Sequence, residues 1–246
     1  MRNINNWKPS KYHYRKGRLM ASANHDEVNI ASRVITNVIA RFYDEKIKIH
    51  VKGYLLDLGC GNVPLYAAYK EYITGNVCVD WENTAHKNDY PDYTTDLNKD
   101  LPFKDSAFDT IILSDVLEHI RYPEHLLKEM YRILNNKGKA LINVPFYYGL
   151  HETPYDYFRY TKYALESMAA ASNFNISELH ALGGVPEIIA DIVSKNIIRL
   201  PLIGTCLARC IQSVTWWFIN TRYGKKISLK TSQHFPFGYF LVLEKI

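Results

Sequence analysis

The chain has 246 residues, 47% of them hydrophobic, which suits one α/β domain with additions and an ordinary globular core. Thirty Lys and Arg against 25 Asp and Glu leave a net charge of +5. With no dense basic block beyond the arm around Lys8 to Arg18, nucleic acid is not an expected partner, whereas an anionic membrane surface or a phosphorylated substrate suits a mildly basic protein. Four cysteines (Cys60, Cys78, Cys206, Cys210) form neither a disulfide framework nor a metal-type pair of pairs, which reads as a reducing compartment.

Residues 1–27 are polar, carry Trp7 and Tyr12, and lack an apolar signal region, so a cytoplasmic location is expected. This arm either packs on the domain or covers a ligand site. From Glu27 to Tyr43 the apolar positions (Val28, Ile30, Ala31, Val34, Ile35, Val38, Ile39, Phe42) keep a helical period, with His25 or Asp26 near the start. Tyr54 to Leu58 reads as a strand that carries Asp57 near its carboxyl end. A turn at Gly59-Cys60-Gly61 and a helix start within Val63 to Tyr72 follow. A second strand, Asn76 to Val79, ends in Asp80, an acid able to accept hydrogen bonds from two ribose hydroxyls. Thr110 to Leu113 reads as a buried strand, Pro123 to Leu134 as a helix with Lys137-Gly138 as its stop, and Lys139 to Val144 as a strand. Thr161 to Ser172 reads as a helix capped by Thr161, and Phe174 to Leu182 and Phe237 to Glu244 as strands.

Asp57-Leu58-Gly59-Cys60-Gly61 resembles motif I, Asp-x-Gly-x-Gly, of the class I S-adenosylmethionine-dependent methyltransferases, with Val63 and Pro64 where a third glycine is frequent. Val77-Cys78-Val79-Asp80-Trp81, Thr94 to Phe103, and Phe108-Asp109 leading into Leu117-Glu118-His119-Ile120 match three further segments in order. The missing glycine and the Leu-Glu-His-Ile segment count against an NAD enzyme. The resemblance, of the methyltransferase type 11-like kind, covers about 51–184 and 235–246. It implies an α/β fold: a doubly wound, Rossmann-like, mostly parallel seven-stranded sheet whose last strand is antiparallel, with a helical insertion before that strand. The implied organisation is one methyltransferase domain: 1–50 arm and cap helix, 51–184 cofactor-binding core, 185–232 insertion, 233–246 last strand. It also implies S-adenosylmethionine as cofactor. Gly59, Cys60 and Gly61 line it, Asp80 with Trp81 holds the ribose, and Asp96 with Leu97 holds the adenine amine. Asp57 lies near the methionine end with Ser114 beside it.

Two stretches exceed what such a fold needs. Val144 to Tyr160 follows the fifth strand on the side where substrate enters and is dense in His, Tyr, Asp and Arg. It resembles, loosely, a segment of methyltransferases linked to bacterial glycan assembly. His151, Tyr148, Tyr155, Arg159 and Tyr160 are candidate acceptor contacts. The bland alternative is a rigid connector with an Asp156–Arg159 ion pair. His151 and His119 are the histidines on this side, and an imidazole suits a general base near neutral pH. His151 ranks ahead, since His119 could be structural. The second stretch is the insertion, where Ile203, Leu207, Cys210, Ile211, Val214, Trp217 and Phe218 form an apolar helical stripe opposite Arg209, Gln212, Ser213, Trp216 and Asn220. Arg209 and Pro201 argue against a membrane span. A peripheral membrane contact through 185–220, a lid and a homodimer surface stay open. Cys206 and Cys210 lack further ligands, and no metal is expected. The activity implied is methyl transfer to a hydroxyl of a sugar, glycolipid or small metabolite. The alternative is a non-catalytic cofactor-binding or membrane-associated partner that docks through the insertion.

Overall fold

The computed structural model describes residues 1–82 and 89–246. A 3-10 turn at Ile4–Asn6 precedes a hairpin of β1 (Tyr12–Arg15) and β2 (Arg18–Ala21). A second 3-10 turn, Ile30–Ser32, capped by Asn29, which accepts the Ala31 N–H, leads into α1 (Arg33–His50). Then come β3 (Gly53–Leu58), α2 (Tyr66–Tyr69), β4 (Ile73–Asp80), β5 (Tyr93–Thr94) and β6 (Phe108–Ser114). The chain continues through α3 (Pro123–Ile133), β7 (Leu134–Pro145), α4 (Lys162–Ala171) and β8 (Asn175–Leu182). It ends with α5 (Val185–Ile197), α6 (Gly204–Asn220), α7 (Arg222–Ser232) and β9 (Gly238–Glu244).

Among the described residues seven strands form one sheet in the order β5-β4-β3-β6-β7-β9-β8. β3 runs parallel to β4 and β6, and β6 parallel to β7. Leu55, Leu56, Leu58, Ile111, Ile112 and Leu113 are wholly buried, the continuous apolar runs that a sheet covered on both faces requires. β9 inserts antiparallel between β7 and β8, as expected. The register pairs Leu58 with both Val79 and Leu113, so the ends of β3, β4 and β6 reach one edge together.

One expectation needs correction. The helix expected within 63–72 is a single turn: Val63 adopts a left-handed φ of 49° and β4 starts already at Ile73, which leaves room for little more. The chain divides into two compact units, residues 1–9, 46–180 and 239–246 in the first, 10–45 and 181–238 in the second. The insertion is thus built together with the segment that was read as arm and cap helix. Gln212 of α6 shows why: buried, it donates to the carbonyls of Ala31 (2.6 Å) and Ala190 and accepts the Val34 N–H at 2.8 Å. α6 turns large apolar side chains outward. Gly204, Ala208, Gln212 and Ile219 face inward, whereas Ile203, Leu207, Val214 and Trp217 of the apolar stripe are exposed. Small residues win the inner face because the helices approach closely; a Cβ on Gly204 would stand 2.4 Å from the Ile197 carbonyl.

Candidate functional site

The edge at the ends of β3, β4 and β6 carries the acids and the turn. Gly59 has φ 68°, and a Cβ there would lie 2.4 Å from Val116 Cγ2, so both backbone and space demand glycine. The Gly59 and Cys60 N–H groups both donate to the Val79 carbonyl (2.8 and 3.0 Å), folding the turn over the end of β4. Val63 keeps a left-handed backbone without being glycine. It is buried, donates to the Cys60 carbonyl at 2.8 Å, and its own carbonyl accepts the Trp7 indole N–H at 3.2 Å. Trp7 also stands edge-on to Tyr66 at 5.0 Å, so the first residues of the arm brace this turn.

Asp57 is 5% exposed and accepts the Tyr69 hydroxyl at 3.1 Å. Burial pushes its carboxyl up to about 7, with Tyr69 opposing and the charge of Asp80 adding. Asp80, also buried, accepts the Trp81 N–H at 2.8 Å. A Cys78 hydrogen bond, then burial, hold the Cys60 thiol protonated. Asp96 accepts the Asn98 N–H (3.0 Å) and amide (2.9 Å). Burial pushes it upward, but these bonds and Lys99 bring its carboxyl below the usual range. Leu97 beside it is buried. The Ser114 hydroxyl ends β6 and donates weakly to Asp115 at 3.5 Å.

Against this edge lies the loop after β7. Its Tyr155 ring meets the Trp81 ring edge-on at 4.9 Å, joining the loop to the end of β4. The loop and the 3-10 turn Leu117–His119 bring three ligating groups together. His119 Nδ1 donates to the Tyr155 carbonyl at 3.0 Å, which leaves its Nε2 facing His151 Nε2 at 3.2 Å. Glu118 Oε1 lies 3.8 Å from the first Nε2 and 3.7 Å from the second. His151 Nδ1 is 3.4 Å from Asp156 Oδ2, which also accepts the His151 backbone N–H. Burial pushes the Glu118 carboxyl up; burial disfavours the His151 imidazolium, but Glu118 and Asp156 outweigh it and raise that pKa. The two histidines read separately as candidate bases are therefore one unit with Glu118, whose only signal in the sequence was its place directly before His119.

The remaining loop residues divide by role. Tyr148 packs edge-on to His151 at 5.0 Å, within the cluster. Tyr160 and Arg159 are engaged within the loop and its neighbouring turn. Tyr160 is 4% exposed and its hydroxyl donates to the Leu117 carbonyl at 2.9 Å. Arg159 grips Asp156 with two nitrogens (2.5 and 2.7 Å) and donates to the carbonyls of Tyr148, Gly149 and Phe158. Its donors are spent on the loop, as the connector reading of Asp156–Arg159 foresaw.

The sheet order and the position of β9 define the class I methyltransferase fold. Residues 56–142 match a family described as a methyltransferase domain, and the cofactor this supports is S-adenosylmethionine. Two uncharacterized proteins of Methanocaldococcus jannaschii are similar in part. One is 50% identical over 44 residues, 18% of this chain and 19% of that protein. The other is 29% identical over 101 residues, 41% of this chain and 49% of that protein. The matches thus span at most about half the length of these relatives. Among solved structures, the (4+2)-cyclase SpnF aligns with a TM-score of 0.57 at 14% identity, covering 96% of this chain and 87% of that one. A Galdieria sulphuraria protein assigned as a sarcosine dimethylglycine methyltransferase gives 0.56 at 12%, covering 97% and 92%. A Haloferax volcanii complex of the Trm112 methyltransferase activator with a protein assigned as its methyltransferase gives 0.55 at 18%, covering 85% and 88%. At these identities the structures attest the fold alone.

Proposed function

We propose that this protein is an S-adenosylmethionine-dependent methyltransferase acting on a hydroxyl of a sugar, glycolipid or related small metabolite. The observation that carries the reading is the Trp81–Tyr155 contact, which sets the edge bearing Asp57, Asp80 and Asp96 against the loop bearing the histidine pair. The donor set fits the cofactor: a glycine turn without a phosphate-cradling third glycine, and acids for hydroxyl and amine groups. Bound there, S-adenosylmethionine supplies an electrophilic sulfonium methyl group. Asp80 beside Trp81 accepts from ribose hydroxyls, Asp96 beside Leu97 accepts from the adenine amine, and Gly59, Cys60 and Gly61 admit the cofactor close to the backbone. Asp57 and Ser114 stand toward the methionine end. On the acceptor side, Tyr148 and Tyr155 give an aromatic wall of the kind sugars stack on, and the Glu118–His119–His151 unit receives the hydroxyl. Arg159 and Tyr160 hold that loop in shape.

The test is calorimetric titration of S-adenosylmethionine into the wild type and Asp80→Ala. Binding weakened at least about tenfold (1.4 kcal/mol) in the variant supports the assignment. A folded wild type that does not bind the cofactor removes it. Binding without turnover on any hydroxylated acceptor would favour the non-catalytic partner reading.

One surface bears on where the acceptor is met. Residues 185–232 hold seven Lys and Arg and two acids, Glu187 and Asp191, and both acids are buried. Leu202, Ile203, Val214 and Trp217 are exposed, as are Arg199, Arg209 and Arg222 of the same segment. Apolar side chains among cations suit an anionic bilayer surface, so we infer a peripheral contact at the cytoplasmic face of a membrane. No helix among the described residues is long and apolar enough to cross one. Flotation with phosphatidylglycerol vesicles, abolished by Trp217→Ser with Leu207→Ser, is expected. Protein left in the soluble fraction, or a homodimer that buries this face, overturns the contact.

A further inference from the structure

We propose that Glu118, His119 and His151 form a site for one divalent transition-metal cation, held by two imidazole Nε2 atoms and one carboxylate oxygen. Among the described residues, their ligand atoms gather within 4.8 Å of one another. The separations are 3.2 Å between the nitrogens and 3.7 and 3.8 Å from each to Glu118 Oε1. Three ligands at about 2.0–2.2 Å from one ion stand roughly 3–3.6 Å apart, so the trio is within a few tenths of an ångström of a coordination shell.

Two further observations point to a ligand rather than to a packing accident. Glu118 has no solvent-accessible side chain, and among the described residues neither carboxylate oxygen has a hydrogen-bond partner, the imidazoles standing 3.7 and 3.8 Å from Oε1. A buried carboxylate left so is expensive, and a bound cation is what such groups commonly serve. The imidazoles also carry the outer contacts that metal-bound histidines have. His119 donates from Nδ1 to the Tyr155 carbonyl, which fixes its Nε2 lone pair inward. His151 Nδ1 faces Asp156, itself clamped by Arg159. Without a cation, two facing Nε2 atoms at 3.2 Å need a shared proton, and that arrangement still leaves Glu118 beyond hydrogen-bond reach.

Two nitrogens and one oxygen suit zinc, cobalt, iron, manganese or nickel rather than magnesium or calcium, which prefer oxygen. Three protein ligands leave a position open, and His151 is the more exposed imidazole, at 27% of its side chain against 12% for His119. The inference deepens the proposed function and rests on its placement of the acceptor here: the open position takes the acceptor's hydroxyl oxygen.

The test uses the full chain after dialysis against a chelator. Cobalt(II) is titrated and followed by visible absorption and by calorimetry. One equivalent should bind, with the d–d bands of a site of low coordination number, and zinc should displace it. Glu118→Gln and His151→Asn should each weaken binding at least tenfold, and Asp156→Asn should weaken it measurably while leaving one equivalent. Wild-type protein that binds neither cobalt nor zinc at one equivalent overturns the site, as do Glu118→Gln and His151→Asn variants that bind cobalt like the wild type. Titrating S-adenosylmethionine into the same chelated sample separates the two ideas: loss of cofactor binding beside intact cobalt binding sinks the methyltransferase reading, and the reverse sinks the cation site.

Discussion

Replacing Asp57 by Asn should make the protein more stable, by an amount that grows with pH. The carboxyl is 5% exposed and held at about 7, against 3.8 in the unfolded chain. The folded state therefore keeps a proton that the unfolded chain gives up between pH 4 and 7. With the folded pKa raised, this group's contribution is highest below the unfolded value, falls as pH rises, and levels off above about 7. The rise from 3.8 to about 7, at about 1.4 kcal/mol for each tenfold change in proton affinity, amounts to roughly 4 kcal/mol across that window. Asn keeps the shape and can still accept the Tyr69 hydroxyl, but carries no charge to desolvate. Urea denaturation of both proteins from pH 4 to 8 gives the difference directly, since the titrations they share cancel. The expected difference is near zero at pH 4 and about 2–4 kcal/mol in favour of Asn at pH 8. A constant offset would refute the reasoning. On the proposed placement of Asp57 toward the methionine end, the gain should come with weaker binding of the sulfonium cofactor, since the substitution removes an acid there.

Gly59→Ala should lower stability by about 2 kcal/mol or more, through left-handed strain and the Val116 clash, with part of the loss restored in thermal melts by adding Val116→Ala. Arg159→Lys keeps the charge but loses the two-nitrogen grip on Asp156 and contacts to carbonyls of the loop. It should cost about 1–3 kcal/mol and reduce turnover, while calorimetry shows cofactor affinity within about twofold of wild type. Glu178 has the opposite sign to Asp57: burial pushes it up, but Lys46, His180 and His50 hold it down to about 2. Its contribution is present above pH 4.5 and lost toward pH 2, so Glu178→Gln should destabilise at pH 7 and approach wild type in acid; equal stability at pH 7 would count against the cluster.

The sheet edge that bears the turn and the acids was legible because its information is local. An apolar strand, a glycine turn and an acid at the end of the next strand sit at fixed distances along the chain, and parallel pairing of β3, β4 and β6 carries those distances directly into space. The left-handed Val63 was not legible, since a β-branched residue shows no preference for that conformation and the Trp7 bond that braces it comes from 56 positions away. Nor was the inner face of α6. The period showed the stripe of large apolar side chains but not which residues face inward, and close helix packing selected Gly204 and Ala208 and satisfied Gln212 in the interior. The sequence by itself determined the sheet, its turn and the three acids, because strand and turn signals act over a few residues. Tertiary structure alone decided that Glu118, His119 and His151, with 32 positions between the histidines, share one cluster, and that Arg159 serves the loop: which polar groups meet depends on how a long loop closes over the sheet, and no short-range pattern encodes that.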